Sequence, residues 1–225
     1  MKRVYIAMAM LLILILVLFL KIKIDNGLYA MFDKWETGAV DTTEGIDIMN
    51  SFTEYLAESR EVSTEDIMKL SQRFKVYDID GFRIIEYVEN PEFYGNSGKG
   101  SYHIAMYNDI IEIIDSNGSI QIDEVIKLND NLYSMYVTDY KFSNITGINI
   151  FSIAINEKGI EYKPIISNAE IPDGFQFIES LYYDSGHIYF ESIEYDGRNI
   201  FISVNNTSYM LQLREDGLYH FTDIE

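Results

Sequence analysis

Cysteine is absent from the 225 residues of the chain. Its absence excludes disulfide bonds, thiolate metal sites and cysteine nucleophiles, so a hydrophobic core must stabilise the folded state. Apolar residues form 48% of the chain, which is enough to build that core.

Basic residues are also scarce, because 17 lysines and arginines stand against 36 aspartates and glutamates. The formal charge is −19, and residues 1–25 contribute +3 through four basic side chains and one aspartate, which leaves −22 for the other 200 residues. Nucleic acids and anionic lipid surfaces attract lysine and arginine, so this balance argues against both as partners. It is compatible with cationic partners, divalent ions or a cation-rich cell wall, although a general need for solubility explains the same charge.

A long apolar run lies near the start of the chain. Val4–Leu20 holds seventeen residues without a charged side chain, with Lys2-Arg3 before it and Lys21-Ile-Lys23 after it. Because lipid offers no partner to backbone polar groups, such a segment must be helical, and it would cover roughly 25 Å of a core about 30 Å thick. The flanking lysines can extend to the interface and make up the difference. The sequence predicts a transmembrane helix.

We interpret residues 1–25 as an uncleaved signal anchor. A cleavable secretion signal begins in the same way, but it needs small residues at the −3 and −1 positions, and no such triplet follows the run before Tyr29. Atypical cleavage and a buried core helix are the alternatives. The short stretch ahead of the segment favours an N-terminus inside and a large C-terminal domain outside the cell membrane. Together with the lack of cysteine, this predicts a single-pass protein of a bacterial cell envelope.

Residues 26–75 are predicted to form a helical juxtamembrane segment and a helical hairpin. A short first helix carries Leu28 and Trp35 on one face, and packing of Trp35 in the core is favoured over a place at the membrane interface. Asp41-Thr-Thr-Glu44 has the spacing of a capping box, and Ser63 is the cap of a further helix. The loop between the two capped helices is short, so we expect them to pair.

Residues 76–225 alternate between apolar and polar positions and are predicted to form an antiparallel β-rich domain. Asp80-Gly81 separates two alternating runs, as in a hairpin turn. Tight turns favour antiparallel strands, because parallel strands need long crossovers. Eleven further strand candidates lie between Tyr102 and Thr222, and x-Gly pairs separate many of them: Asn117-Gly118, Lys158-Gly159, Ser185-Gly186, Asp196-Gly197 and Asp216-Gly217.

The predicted fold class is mainly β (α+β), with an N-terminal transmembrane helix, a short helical segment and a large antiparallel β-meander. Loop 91–100, with three glycines and one proline, is a candidate sub-boundary. A sandwich, a barrel or a curved sheet is the leading architecture. The turns at Gly118, Gly159 and Gly217 also resemble those of β-propeller blades. Their intervals are 41 and 58 residues, and only the first fits the length of a blade, so a partial propeller-like fold is the minority interpretation.

The motifs of common catalytic sites are missing from the sequence. The three histidines, His103, His187 and His220, each lie in an alternating segment, where packing is a commoner role than ligation. No HExxH pair, Gly-x-Ser-x-Gly elbow or Walker spacing occurs. The sequence therefore predicts no catalytic residue, no metal site and no cofactor.

Tyrosine, in contrast, is abundant, with 18 residues. The densest group, Tyr182, Tyr183, Tyr189 and Tyr195, falls on two neighbouring strand candidates. Aromatic side chains on a β-surface bind sugars or peptides, although packing across strands accounts for the same pattern. This group is the candidate ligand-binding patch.

The leading functional hypothesis is a membrane-anchored extracytoplasmic protein whose acidic β-rich domain binds an envelope protein or a glycan without catalysis. One alternative is an envelope hydrolase whose site is assembled from scattered carboxylates and histidines. A sensory or regulatory ectodomain is the other. A deep cluster of carboxylates with a histidine would favour the enzyme, and an exposed aromatic groove would favour binding.

Overall fold

The computed structural model describes residues 10–15, 27–38, 40–59, 62–89, 100–118, 120–141, 144–167, 190–204 and 206–222. The chain divides into two compact units, Met1–Phe74 and Lys75–Glu225. Most of the secondary structure in the described ranges is β, in three antiparallel sheets of four strands each, with few helices. The mainly β class predicted from the sequence is therefore confirmed.

Two helices of the first unit begin at the capping residues that the sequence indicates. The Asp41 carboxylate accepts a hydrogen bond from the N–H of Glu44 at 2.9 Å, and the Ser63 hydroxyl accepts one from the N–H of Asp66 at 3.1 Å. Each side chain thus satisfies an N–H that has no partner within its helix. The described helices that follow residue 26 are α1 (27–37), α2 (Thr42–Glu58) and α3 (Thr64–Leu70).

Aromatic rings form the core of this unit. Phe32, Phe52 and Phe74 are at most 1% exposed, and the ring centroid of Phe74 lies 4.9 Å from each of the other two. Trp35 is also buried and stacks on Phe32 with centroids 6.1 Å apart. The predicted packing of Trp35 in the core is confirmed.

The predicted transmembrane segment lies mostly outside the described residues. Of Val4–Leu20, the structure describes residues 10–15, which are α-helical with exposed apolar side chains. Among the residues that the structure describes, no helix has the length and apolar composition needed to cross a bilayer. The transmembrane helix therefore stays a prediction.

The second unit is built from meanders, in which each strand pairs with its neighbours in the chain. Sheet A consists of β1 (Phe74–Ile79), β2 (Phe82–Val88), β3 (Ser101–Tyr107) and β4 (Ile110–Gly118). Sheet B consists of β5 (Ile120–Asn129), β6 (Leu132–Lys141), β7 (Asn144–Asn156) and β8 (Gly159–Tyr162). Sheet C consists of β9 (Phe190–Tyr195), β10 (Asn199–Val204), β11 (Thr207–Leu213) and β12 (Tyr219–Thr222).

Two x-Gly pairs show how the chain passes along and between these sheets. Asp80 and Gly81 both have positive φ angles, 51° and 83°, and form the predicted hairpin turn between β1 and β2. Asn117-Gly118 ends β4 instead, and the next strand begins at Ile120 as an edge of sheet B. The predicted meander is thus divided into three sheets.

Sheet B packs on both of its faces. In β6, Tyr133 and Met135 belong to a cluster with residues of sheet A, whereas Tyr136 belongs to a cluster with residues of sheet C. Side chains of a strand point alternately to its two faces, so β6 contributes to two cores at once. Sheet B is therefore the middle layer of the three.

Candidate functional site

A cleft of about 530 Å³ opens between sheets A and B, beside their edge strands β4 and β8. We refer to it as the β4–β8 cleft. Its polar lining residues are His103, Glu112, Glu161 and Tyr162. The rest of the lining is aliphatic and comes from five strands of the two sheets: Ile113, Ile114, Ile120, Ile122, Met135, Val137, Ile153 and Ile160.

The cleft runs from a buried interior to an accessible mouth. Ile122 and Val137 are at most 2% exposed, whereas Ile113 is 37% and Tyr162 is 49% exposed. The carboxylate-bearing Glu161 is exposed as well. Apolar surface that stays accessible beside a carboxylate is suited to a ligand with an apolar part and a positive charge.

A buried ionic network lies behind His103. Glu86 is fully buried, and its Oε1 lies 3.1 Å from His103 Nε2 and accepts a hydrogen bond from the N–H of Ile122 at 2.7 Å. Lys75 reaches the other carboxylate oxygen, with its Nζ 3.1 Å from Oε2. The network joins β1, β2 and β3 of sheet A to β5 of sheet B, and so fixes the wall of the cleft that carries His103.

The network keeps Glu86 ionised. Burial by itself would raise the pKa of this carboxyl, but the hydrogen bond and the charge of His103 lower it, and the Lys75 ammonium lowers it further. The net effect holds the pKa of Glu86 below its usual value. His103 therefore faces a carboxylate that is ionised at neutral pH.

Glu112 connects the two edge strands. Its Oε1 accepts a hydrogen bond from the N–H of Ile160 in β8 at 3.3 Å. The N–H of Lys163 is bonded to Ser152 in β7, and because N–H directions alternate along a strand, that of Ile160 points away from β7. A Cβ atom added to Gly159 would lie 2.5 Å from Glu112 Oε1, so glycine leaves room for this carboxylate.

The described residues do not assemble a metal centre or bring the histidines together. No group of three His, Asp or Glu side chains within the described ranges is placed to hold a metal ion. His103 lies on β3 beside Glu86, while His220 lies on β12 of sheet C with Nε2 2.8 Å from Asp216 Oδ2. His187 lies outside the described residues. The arrangement around His103 is thus one buried carboxylate–histidine pair beside an apolar cleft.

Only one member of the predicted tyrosine patch can be placed. Tyr182, Tyr183 and Tyr189 lie outside the described residues, whereas Tyr195 is half-buried on β9. Its hydroxyl donates a hydrogen bond to the carbonyl of Leu128 in β5 at 3.2 Å, and its ring packs against the cluster between sheets B and C. The ligand-binding patch stays a prediction.

The residues that form the β4–β8 cleft carry a partial signal in the sequence. Glu86 follows Phe82 and Ile84 at intervals of two residues along β2, so the three side chains lie on the same face of the strand. An acidic residue in such an inward-facing apolar row indicates a buried, paired carboxylate. No comparable signal marks Glu112 or Glu161, because their role depends on the approach of two strands distant in the chain.

Comparison with known proteins finds no matching protein family, no similar curated protein and no similar solved structure.

Proposed function

We propose that this chain is a binding protein of the cell envelope, and that its β4–β8 cleft receives an apolar segment of a partner protein that carries a basic side chain. The observation that carries the proposal is the lining of the cleft: aliphatic walls, with Glu112 and Glu161 beside them and no lysine or arginine among the described lining residues. The chain as a whole has the matching excess of negative charge.

The two parts of the cleft contribute differently to binding. Burial of one large aliphatic side chain stabilises a complex by about 1.5–3 kcal/mol, so the isoleucine walls supply most of the affinity. An exposed ion pair contributes only about 0.2–1 kcal/mol, so the carboxylates act mainly on selectivity and on the rate of encounter. A basic and apolar segment is therefore preferred to an acidic segment of the same size.

The location follows from the sequence of residues 1–25. The uncharged run Val4–Leu20 and its flanking lysines support a single-pass anchor, with the β-rich domain outside the membrane. Membrane fractionation and N-terminal sequencing test this. A mature protein that retains Val4–Leu20 in the membrane fraction is expected, and an N-terminus near residue 26 would refute the anchor.

The arrangement of the sheets supports a partial propeller-like fold as the frame of the cleft. Three four-stranded meanders follow one another in the chain, and sheet B packs against sheet A on one face and sheet C on the other. Propeller blades are four-stranded sheets that stack in this way, whereas a barrel or a single curved sheet would pair the strands continuously. The β4–β8 cleft then lies between two adjacent blades.

A peptide titration tests the function. The full chain in non-ionic detergent is titrated into a fluorescein-labelled Leu-Lys-Leu-Lys-Leu peptide, and anisotropy is compared with that of the Leu-Glu-Leu-Glu-Leu peptide. We expect the lysine peptide to bind more tightly than the glutamate peptide, and Glu161→Lys to weaken binding of the lysine peptide about threefold to tenfold by replacing an attraction with a repulsion.

The control variant reverses an equally accessible charge elsewhere. Glu215 is exposed on the turn between β11 and β12, so Glu215→Lys changes the net charge by the same amount and is expected to leave the affinity unchanged. Equal losses in both variants would reduce the effect to general electrostatics and overturn the assignment of the cleft. Cleavage of the peptide would instead favour the hydrolase hypothesis.

A further inference from the structure

A second cleft, of about 480 Å³, lies at the turns of sheets A and B. We refer to it as the turn cleft. Three asparagines line it, each from a different hairpin: Asn108 between β3 and β4, Asn131 between β5 and β6, and Asn156 at the end of β7. Tyr107, Ile110, Ile155 and Glu157 complete the lining, and none of these residues belongs to the β4–β8 cleft.

Hydrogen bonds hold the backbone of Asn131 and the side chain of Asn156 in place. The carbonyl of Asn131 accepts from the N–H of Ile155 at 2.8 Å, and its own N–H donates to the Asn129 side chain at 3.0 Å. The Asn156 side-chain carbonyl accepts from the N–H of Lys158 at 2.7 Å, which fixes the orientation of its amide. A side chain held this way, such as that of Asn156, loses little conformational freedom when it binds a ligand.

The chemistry of the lining selects a class of ligand. An asparagine amide offers donors and acceptors on one neutral group, which matches a hydroxyl that both donates and accepts. The lining residues described here include no lysine or arginine, so the turn cleft has no counter-charge for a phosphate or a carboxylate. The Tyr107 ring and two isoleucines add an apolar surface on which the C–H face of a sugar ring can lie.

We propose that the turn cleft is a binding site for a neutral saccharide of one or two rings. Its volume falls in the range of about 300–1,000 Å³ that small-molecule sites occupy. The asparagines on three separate turns surround the hydroxyl groups, and Tyr107 contacts the ring face. This site is independent of the peptide site proposed above, because the two clefts share no lining residue.

Saturation-transfer difference NMR tests the proposal on the full chain in detergent. The probes are methyl glucoside, N-acetylglucosamine and cellobiose, with glucose 6-phosphate as the anionic comparison. At least one neutral sugar is expected to bind more tightly than glucose 6-phosphate. Asn131→Ala is expected to raise the dissociation constant of that sugar about fivefold, which corresponds to the loss of one net hydrogen bond.

Two matched controls separate the site from general effects. Asn131 is exposed, so its substitution is expected to leave folding intact, and the equally exposed Asn50 in α2 supplies the control Asn50→Ala. Tyr107→Leu removes the aromatic face, and Tyr29→Leu is its control on an exposed tyrosine of α1. Absence of signal from all three neutral sugars would overturn the proposal. So would an unchanged dissociation constant in both Asn131→Ala and Tyr107→Leu.

Discussion

Glu86 and His103 lie directly opposite each other on β2 and β3, and their side chains meet at 3.1 Å where neither is more than 3% exposed. The same carboxylate accepts a hydrogen bond from the N–H of Ile122, a buried residue of β5 in sheet B. A buried charge is costly unless it is paired and hydrogen bonded, and here one carboxylate has three partners. The pair therefore joins two sheets that no continuous strand pairing connects.

Replacement of Glu86 by alanine is expected to destabilise the protein strongly. It removes the buried carboxylate that His103, Lys75 and the N–H of Ile122 contact, and breaking a buried ion pair in this way typically costs about 3–5 kcal/mol of the free energy of unfolding. Chemical denaturation followed by circular dichroism measures the change. Glu215→Ala, at an exposed position, is the control and is expected to stay within about 0.5 kcal/mol of the wild type. Equal effects of the two substitutions would show that the network does not stabilise the fold.

The same carboxylate predicts how stability depends on pH. The pKa of Glu86 is lower in the folded chain than its ordinary value of 4.5, so the unfolded chain binds more protons just below that pH. The stabilisation is present above pH 4.5 and is lost as the pH falls through the folded pKa. Because Glu86→Gln cannot titrate, the free-energy gap between wild type and variant should shrink in acid. Parallel pH curves from denaturant titrations would contradict this.

Local elements of this fold are predictable because each depends on a few neighbouring residues. Asp41 and Ser63 indicate the beginnings of two helices, since a capping side chain bonds an N–H three residues on. Asp80-Gly81 indicates the first hairpin, since both residues tolerate positive φ. In these cases the sequence pattern and the structure agree closely.

The grouping of strands into sheets is not predictable in the same way. Asn117-Gly118 has the composition of a hairpin turn, yet the strands on its two sides belong to different sheets. A turn sequence specifies local backbone angles, whereas the partner of the next strand depends on long-range packing. The candidate site shares this limit. Alternation places Glu86 on an inner face, but Lys75 and His103 reach it only through strand pairing, and Ile122 reaches it only through the packing of sheet B on sheet A.

A substitution at Gly81 measures how much the first turn contributes. Its φ of 83° disfavours a residue with a Cβ, while no atom lies within 4 Å of the position where that Cβ would be. Gly81→Ala is therefore expected to cost about 1–2 kcal/mol through backbone strain alone. Gly27 in α1 has equally open surroundings, so Gly27→Ala is the control and is expected to be neutral or stabilising by up to about 1 kcal/mol. Thermal or denaturant unfolding distinguishes the two.

Gly159 tests the connection between β4 and β8. In Gly159→Ala the new Cβ would lie 2.5 Å from Glu112 Oε1, and a φ of 143° adds backbone strain, so a loss of about 1–3 kcal/mol is expected. The carboxylate must leave the N–H of Ile160, which opens one side of the cleft. When Gly159→Ala is made in the Glu112→Ala background, the clash is absent and only the backbone strain should remain. The double variant is therefore expected to lose less stability than the sum of the single losses, and strict additivity in a double-mutant cycle would mean that Glu112 does not occupy this position.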